Sequence, residues 1–465
     1  MLVVISDLHF EEVASDIIPA SNGHPALGLD RNLPGAAFEQ IFAELAADAE
    51  RNGAASLDLV LAGDIFDLYR TQLWAHTDLR PYEACGALSA ALETKLLEVL
   101  DAIAAESPVR ESLDVFQRLA AGRFVRAVDG DRREEPFPVP VRLHYLPGNH
   151  DRLANGSTKL RAKVRSFLGL PPSDAPFDHV FDSQDPRVLV RHGHEYDRYN
   201  FAKDYASKAG EPLPDTFPAS DYDASAFGDF ITVDVAARLP FLFRAVHDDS
   251  KIVANEALRQ VYRRLLEFDD VRPQSALVDF LLNIPGSGMD EHDIWAILQP
   301  VAIRLLDELA QSAVLKEWLD RLDHKWEPDL IDVFQALLAS HVWSVGLPLK
   351  LLKPIASRLR GTTEGEQPEA FAGREPSIRA GARRFLVAGH THQPQVATLA
   401  TGDRFERYYV DTGTWRNQLR QGPPGRGFGR IKALTYVAVY GAREDPRGAQ
   451  KSESFDYWSG LSQRF

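Results

Sequence analysis

The run Leu57-Asp58-Leu59-Val60-Leu61-Ala62, followed at once by Gly63-Asp64-Ile65-Phe66-Asp67, decides how this chain is read. A short, almost wholly apolar run bounded by a glycine marks a buried strand. The chain therefore leaves a core strand, turns on Gly63 and presents two acids three residues apart. An acid just past a strand end is costly to desolvate unless positive charge meets it, and metal ions are the strongest such partners.

The same pattern recurs on either side. Leu2 to Ser6 is an apolar strand ending in Asp7-Leu8-His9, and Ala36 to Ala47 has the periodicity of an amphipathic helix leading into Leu57. Strand, helix, strand is a βαβ unit, and strands without polar alternation are expected to be buried on both faces. Tyr82 to Phe124 is helical in pattern, with Leu88, Leu92, Leu96, Leu97 and Leu100 along one face. Asp129 to Pro140 reads as a charged loop. Val141 to Leu146 is the next strand and ends in Pro147-Gly148-Asn149-His150-Asp151. A helix is expected over Thr158 to Leu168, and Arg187 to Val190 is a strand running into Arg191-His192-Gly193-His194.

From about Tyr199 to Leu359 the periodicity is helical with almost no strand signal. Helices are expected over Asp229 to Ala245, Ala254 to Phe268, Gln274 to Leu282, Ile294 to Leu309, Val314 to Leu322 and Ile331 to Val345. Gly361 to Gly381 is polar and reads as a linker or mobile loop. Strand character returns with Arg384 to Ala388, ending in Gly389-His390-Thr391-His392, and again near Tyr408 to Val410 and Ala433 to Val439.

With 465 residues the chain is expected to hold two or three domains, or one large domain with insertions. A net charge of −15 without a basic cluster removes the usual footprint of a nucleic-acid partner and argues against adhesion to an anionic bilayer. The single cysteine, Cys85, excludes an intrachain disulfide and a thiolate metal cluster. Met1 to Asp7 lacks the basic leader and cleavage site of a signal peptide, so a cytoplasmic location is expected. Val333 to Leu349 carries no formal charge. It is interrupted by Gln335, Ser340, His341, Ser344, Gly346 and Pro348, and is expected to be a buried or interfacial helical segment rather than a membrane span.

Five strand ends thus carry metal-capable residues: Asp7 and His9, Asp64, Asn149 and His150, His192, and His390 and His392. Side chains at i and i+2 of an extended segment share a face, and ligands from neighbouring strand ends converge, as α/β folds usually build sites. Any one block is commonly a turn or a pair of rim residues. All five in order, each directly after a strand, point to a site. Oxygen and imidazole donors without sulfur suit Mn, Fe, Zn, Ni or Co, with Mn²⁺ foremost. The ligand surplus over one tetrahedral ion is accounted for by two divalent ions sharing a carboxylate. Arg152 and Arg191 flank the blocks as candidate phosphate clamps, and His194 is a candidate substrate contact. The remaining histidines have no motif context, and Trp415 is expected to pack in the core.

Asp7-x-His9, Gly63-Asp64-x-x-Asp67, Gly148-Asn149-His150-Asp151, His192 and Gly389-His390-x-His392 together resemble the signature of the calcineurin-like metallophosphoesterase superfamily. The matching blocks frame residues 1 to about 197 and 384 to about 440. The resemblance implies an α/β fold of two mixed β-sheets packed as a four-layer αββα sandwich. It implies one ion held by Asp7, His9, Asp64 and His392, and a second held by Asp64, Asn149, His192 and His390, with Asp64 the bridge. His150 would act at the substrate, oriented by Asp67, protonating the leaving oxygen or stabilising phosphoryl charge. The expected activity is phosphoester hydrolysis, with a metal-bridging hydroxide attacking in line.

Within that superfamily, His192 to Asn200 and Thr412-Gly413-Thr414-Trp415 are similar to proteins related to UDP-2,3-diacylglucosamine diphosphatase. This chain departs by the size of its helical segment. The expected organisation is a discontinuous core, 1–198 and 381–465, with a mostly helical insertion over 199–380 that ends in the polar linker. An insertion between His192 and His390 must emerge beside the metals, as a lid or substrate-selecting wall, or as an oligomerisation module. The expected substrate is a small phosphorylated or nucleotide-linked compound, cleaved as a phosphodiester or pyrophosphate. A nuclease-type phosphodiesterase and a non-catalytic scaffold are the alternatives.

Overall fold

A computed structural model describes every residue of the chain except 22, 85, 129–130, 204, 206–212, 215, 273–275, 323–366, 403–404, 424–426, 445–451 and 463–465. Among the described residues the fold is mixed α/β. The strands are β1 (Leu2–Ile5), β2 (Leu57–Ala62), β3 (Arg123–Val128), β4 (Asp131–Pro136), β5 (Val141–Leu146), β6 (Val180–Gln184) and β7 (Arg187–Arg191). They continue as β8 (Val271–Arg272), β9 (Phe385–Ala388), β10 (Gln395–Thr401), β11 (Glu406–Asp411), β12 (Asn417–Gln421), β13 (Phe428–Tyr440) and β14 (Ser454–Ser462).

Two mixed sheets carry the core. The first runs β5-β2-β1-β13-β12-β8 with β14 on the other register of β13, and the second runs β10-β11-β9-β7-β6. β5, β2 and β1 are parallel, as are β7, β9 and β11. Alternation along β1 explains its apolar sequence. Leu2 and Val4 join Val60, Val188, Val190, Phe385, Val387 and Val437 in one buried cluster drawn from both sheets. Val3 and Ile5 belong to another cluster, with Phe38, Phe42, Leu96, Phe116 and Leu160. Those partners lie on helices α1 (Gly35–Arg51), α2 (Ala90–Ala105), α3 (Ser107–Ala120) and α4 (Thr158–Leu168). Leu189, Leu386 and Tyr409 of the second sheet pack with Tyr196, Tyr222, Phe371 and Ile378.

The long helical pattern from Tyr82 is two helices. α2 starts where the Ser89 side chain accepts from Leu92 N at 3.2 Å, and it ends before Pro108, which sits at the start of α3. Proline fits a first helical turn because no intrahelical bond needs its missing N–H. Half of the charged loop expected at Asp129 to Pro140 is strand: β4 pairs antiparallel with β3, which begins at the end of the expected helical stretch, and Arg126 is bonded to Glu135 at 2.9 Å. The alternation of β4 is polar on both sides, so periodicity in hydrophobicity could not reveal it.

Between Ala219 and Leu322 the described residues are mainly helical, including Phe227–Ile231, Arg238–His247, Glu256–Leu266, Leu277–Leu282, Glu291–Gln311 and Ala313–Leu322. The single helix expected over Asp229 to Ala245 is divided by a π-turn at Thr232–Ala236. The segment is not free of strand: β8 pairs parallel with β12 through Val271↔Leu419 and Arg272↔Arg420. The stretch read as a linker forms two short helices in its second half, Pro368–Ala372 and Pro376–Arg379, with Phe371 and Ile378 buried. Cys85, the helix expected over Ile331 to Val345 and the apolar run Val333 to Leu349 lie outside the described residues. No described helix is long and apolar enough to cross a membrane. Trp415 is fully buried and stacks on Phe38 at 5.2 Å between ring centroids.

Candidate metal centre

The loops that follow β1 and β2 continue the parallel pairing of those strands. Asp7 N donates to Gly63 O at 3.0 Å, His9 N to Asp64 O at 2.9 Å and Phe10 N to Ile65 O at 2.8 Å. The β5 loop is tied to the same place by Asp151, whose carboxylate accepts from Gly148 N (2.6 Å), Asp64 N (3.3 Å), Ile65 N (2.8 Å) and Phe66 N (3.3 Å). Its burial and the nearby Asp64 charge nonetheless raise the Asp151 carboxyl to about 6. Sequence reading gave Asp151 no role. Four backbone donors make it the organiser of two site loops.

The bends are severe. Asp7, His9, Asp64, His390 and His392 have φ of 53°, 46°, 52°, 71° and 60°, in the left-handed region that side chains with a Cβ rarely enter. Glycine is required beside them for a different reason. A Cβ on Gly148 would lie 2.6 Å from Asp64 N and 2.8 Å from His192 Cδ2, and one on Gly389 would lie 2.7 Å from Ser6 Cβ.

These turns bring the residues from five strand ends into contact. Asp7, His9 and His392 form one group that could hold a metal ion, and Asp64, His192 and His390 form another. In the first, His9 Nε2 stands 3.0 Å from His392 Nε2, and Asp7 Oδ1 is 3.3 Å from His392 Nε2. In the second, His192 Nε2 lies 3.1 Å from Asn149 Oδ1, and His390 Nδ1 lies 3.1 Å from the same oxygen. Asp64 Oδ2 is 3.1 Å from His192 Nε2 and 3.8 Å from His9 Nε2, so one oxygen faces both groups.

The outward nitrogens of these rings have acceptors. His192 Nδ1 pairs with Ala62 O at 2.9 Å, His390 Nε2 with Asp197 Oδ2 at 3.0 Å and His9 Nδ1 with Asp67 Oδ2 at 3.2 Å. If each neutral ring donates its one proton outward, its inward nitrogen offers a lone pair towards oxygen or nitrogen atoms that are themselves acceptors. Lone pairs converging on one point are the arrangement a cation satisfies. Without one, protons must take its place. Burial acts against charged rings, yet Asp67 and Asp7 raise His9 to about 9, and Asp64 raises His192 to about 10. Burial likewise opposes ionised Asp7 and Asp64, but their histidine partners hold both well below the ordinary carboxylate range.

His150 occupies a third group with His9 and Asp67. Its Nδ1 is 2.9 Å from Asp67 Oδ1, and its backbone N donates to Asp64 Oδ1 at 2.8 Å. The ring is charged more readily than in water: burial opposes this, but Asp67 and Asp64 raise it to about 10. Exposure grades across the cluster. The side chains of Asp7, His9, Asp64 and His192 are at most 1% exposed, whereas His150, His390 and His392 are 16%, 12% and 13% exposed. The open edge of the centre is therefore these three rings.

The flanking candidates are engaged elsewhere. Arg152 is tied to Asp229 (3.0 Å), Asp223 O (3.0 Å) and Ser225 (2.9 Å), which docks residues 223–229 onto the β5 loop. Arg191 is buried against Glu375 (2.8 Å) and Tyr222 (3.2 Å). Both guanidiniums, expected as phosphate clamps, are thus buried and engaged with carboxylates of the chain itself. His194 is buried edge-on to Phe201 and Tyr222, outside the three ligand groups, and burial lowers it to about 3. The structure brings Arg272 to the site as well. Its Nη2 is 3.0 Å from His392 Nδ1, delivered by β8, a two-residue strand no periodicity could signal. Asp197 was visible in the sequence beside His192, but its pairing with His390 spans 193 residues and could not be read there.

Compared with known proteins, the chain matches no family model and no curated protein.

Proposed function

We propose that this chain is a dinuclear-metal-dependent phosphoester hydrolase of the calcineurin-like metallophosphoesterase type. One observation carries the reading: Asp64 Oδ2 is within 3.8 Å of His9 in one ligand group and within 3.1 Å of His192 in the other. A shared carboxylate oxygen is what two adjacent cations require, and a single tetrahedral ion has no use for it. The first ion would be held by Asp7, His9, Asp64 and His392, and the second by Asp64, Asn149, His192 and His390. Mn²⁺ is the ion proposed first, and Fe, Zn, Ni or Co suit the same oxygen and imidazole donors. Cations there would draw the phosphoryl oxygens and lower the pKa of water at the site.

The remaining work falls to the chain's own groups. His150 is the proton donor for the leaving oxygen, because its Nδ1 is held by Asp67 at 2.9 Å and its ring is part of the open edge. Asp67 fixes which ring nitrogen faces outward. Asp7 and Asp64 neutralise two of the four positive charges of a divalent pair, leaving a site suited to a phosphate anion. The substrate class we favour is a small phosphorylated or nucleotide-linked ester, because a net charge of −15 disfavours a nucleic-acid track. In the same reading the two sheets are the inner layers of a four-layer αββα sandwich, a reading supported by the apolar cluster they share. Residues 1–198 and 381–465 would form that core, with 199–380 as the insertion.

Hydrolysis of bis-p-nitrophenyl phosphate by the Mn²⁺-loaded protein tests the reading. Turnover abolished by Asp64→Asn is expected. Absence of turnover, or turnover indifferent to that change, would discard it.

A further inference from the structure

Next to Asp67 lies a buried set of charges that metal ligation does not call for. Asp67 Oδ2 is 3.4 Å from Arg416 Nη1, and Arg416 Nη2 is 3.0 Å from Asp270 Oδ1 and 3.5 Å from Glu11 Oε2. Asp270 is also 3.6 Å from Arg31, which donates to Glu11 Oε1 at 2.6 Å. All five side chains are at most 3% exposed. Asp270 ends the short turn Phe268–Asp270 just before β8, so it belongs to the inserted region, whereas Arg416 follows Trp415 at the start of β12.

Burying ions is costly, and apolar residues of similar volume often serve stability as well or better. Such a set is better explained by what it orients. Asp67 has four donors: His150 Nδ1 and Arg70 N on Oδ1, His9 Nδ1 and Arg416 Nη1 on Oδ2. Arg416 is the one whose own position depends on distant groups. Its Nε and Nη2 have no hydrogen-bond partner among the described residues, so beyond the Nη1 bond to Asp67 the guanidinium is held by charge pairing, with Asp270 the nearest carboxylate.

We infer that Asp270 and Arg416 are positioning residues for His150, so that a residue of the inserted region governs proton delivery. This rests on the phosphoester-hydrolase reading. In the step concerned, the proton on His150 passes to the leaving oxygen as its bond to phosphorus breaks. Water forms the new bond to phosphorus, and the proton it gives up restores His150.

The experiment compares two diesters with the Mn²⁺-loaded full chain. Bis-p-nitrophenyl phosphate expels an anion that needs no proton; diphenyl phosphate expels a more basic phenolate that does. Asp270→Asn is expected to lower kcat on diphenyl phosphate about tenfold and on bis-p-nitrophenyl phosphate less than about twofold, with Mn²⁺ stoichiometry unchanged. In a His150→Gln background the same change is expected to have no further effect, because both act through one proton. Arg416→Lys, which keeps the charge but not the two-pronged geometry, should reproduce the split if Asp270→Asn does not fold. Equal losses on the two esters, no loss on either, or additive effects with His150→Gln would overturn the inference. A wild-type protein that cleaves neither ester would instead overturn the hydrolase reading on which it stands.

Discussion

Asp67 accepts a hydrogen bond from His150 Nδ1 at 2.9 Å through the oxygen that also takes the backbone N–H of Arg70. The bond leaves Nε2 as the nitrogen that can serve a substrate. His150→Gln keeps a polar side chain but no titratable proton. It is expected to lower kcat on diphenyl phosphate by ~10²-fold, the usual scale of general-acid assistance. Two Mn²⁺ per chain should still bind, since His150 is proposed not to be a ligand. Loss of one ion in a metal titration would contradict the assignment.

Metal binding and pH are expected to be linked. His9 and His192 rise from 6.5 to about 9 and about 10 in the folded chain. For the metal-free protein this stabilisation is complete below about 6.5 and is lost as pH climbs through those folded values. A cation needs the deprotonated rings, so its apparent affinity rises over the same interval, by up to about tenfold per pH unit for each proton released. Thermal unfolding with and without Mn²⁺ between about pH 6 and pH 8.5 checks this. The Mn²⁺-induced increase in Tm should grow with pH; a constant increase would refute the coupling.

Gly148→Ala is expected to remove metal binding at the Asp64–His192 group and to destabilise the fold by about 1–3 kcal/mol. The new Cβ would press on Asp64 N at 2.6 Å and His192 Cδ2 at 2.8 Å, neither able to yield without moving a ligand. Gly429→Ala is the control, since its Cβ would meet nothing within 4 Å. Calorimetric unfolding and Mn²⁺ stoichiometry of the two variants should diverge; similar behaviour would show that the contact relaxes freely.

Asp197→Asn is expected to weaken Mn²⁺ binding 10- to 100-fold, roughly the range for partners that orient a ligating imidazole. His390 would keep a hydrogen bond but lose the carboxylate 3.0 Å from its Nε2. Unchanged affinity by isothermal titration would mean that His390 is held well enough by the turn alone.

The ends of β1, β2 and β9 that carry candidate ligands were legible because each is an apolar strand stopped by glycine or by a polar pair, whereas β5 and β7 were marked by the turn residues and histidines that follow them. A buried parallel strand must be apolar throughout, and that composition is visible without a structure. β8 and β4 were not legible, one being two residues long and the other polar on both sides. Arg152 and Arg191 illustrate a second limit. Their place in the sequence suggested phosphate binding, but burial beside Asp229 and Glu375 gives them other partners. Arg416 and Asp270 meet across 146 residues, beside the pairing of β8 with β12.

Five of the six residues other than glycine that adopt positive φ among the described residues are Asp7, His9, Asp64, His390 and His392. Each such conformation costs on the order of 1–3 kcal/mol. Selection for folding alone would therefore erode these very positions towards glycine or asparagine. A chain freed from its chemistry should drift to higher thermal stability by losing its ligands first, with Asp64→Gly relieving the backbone as it abolishes metal binding.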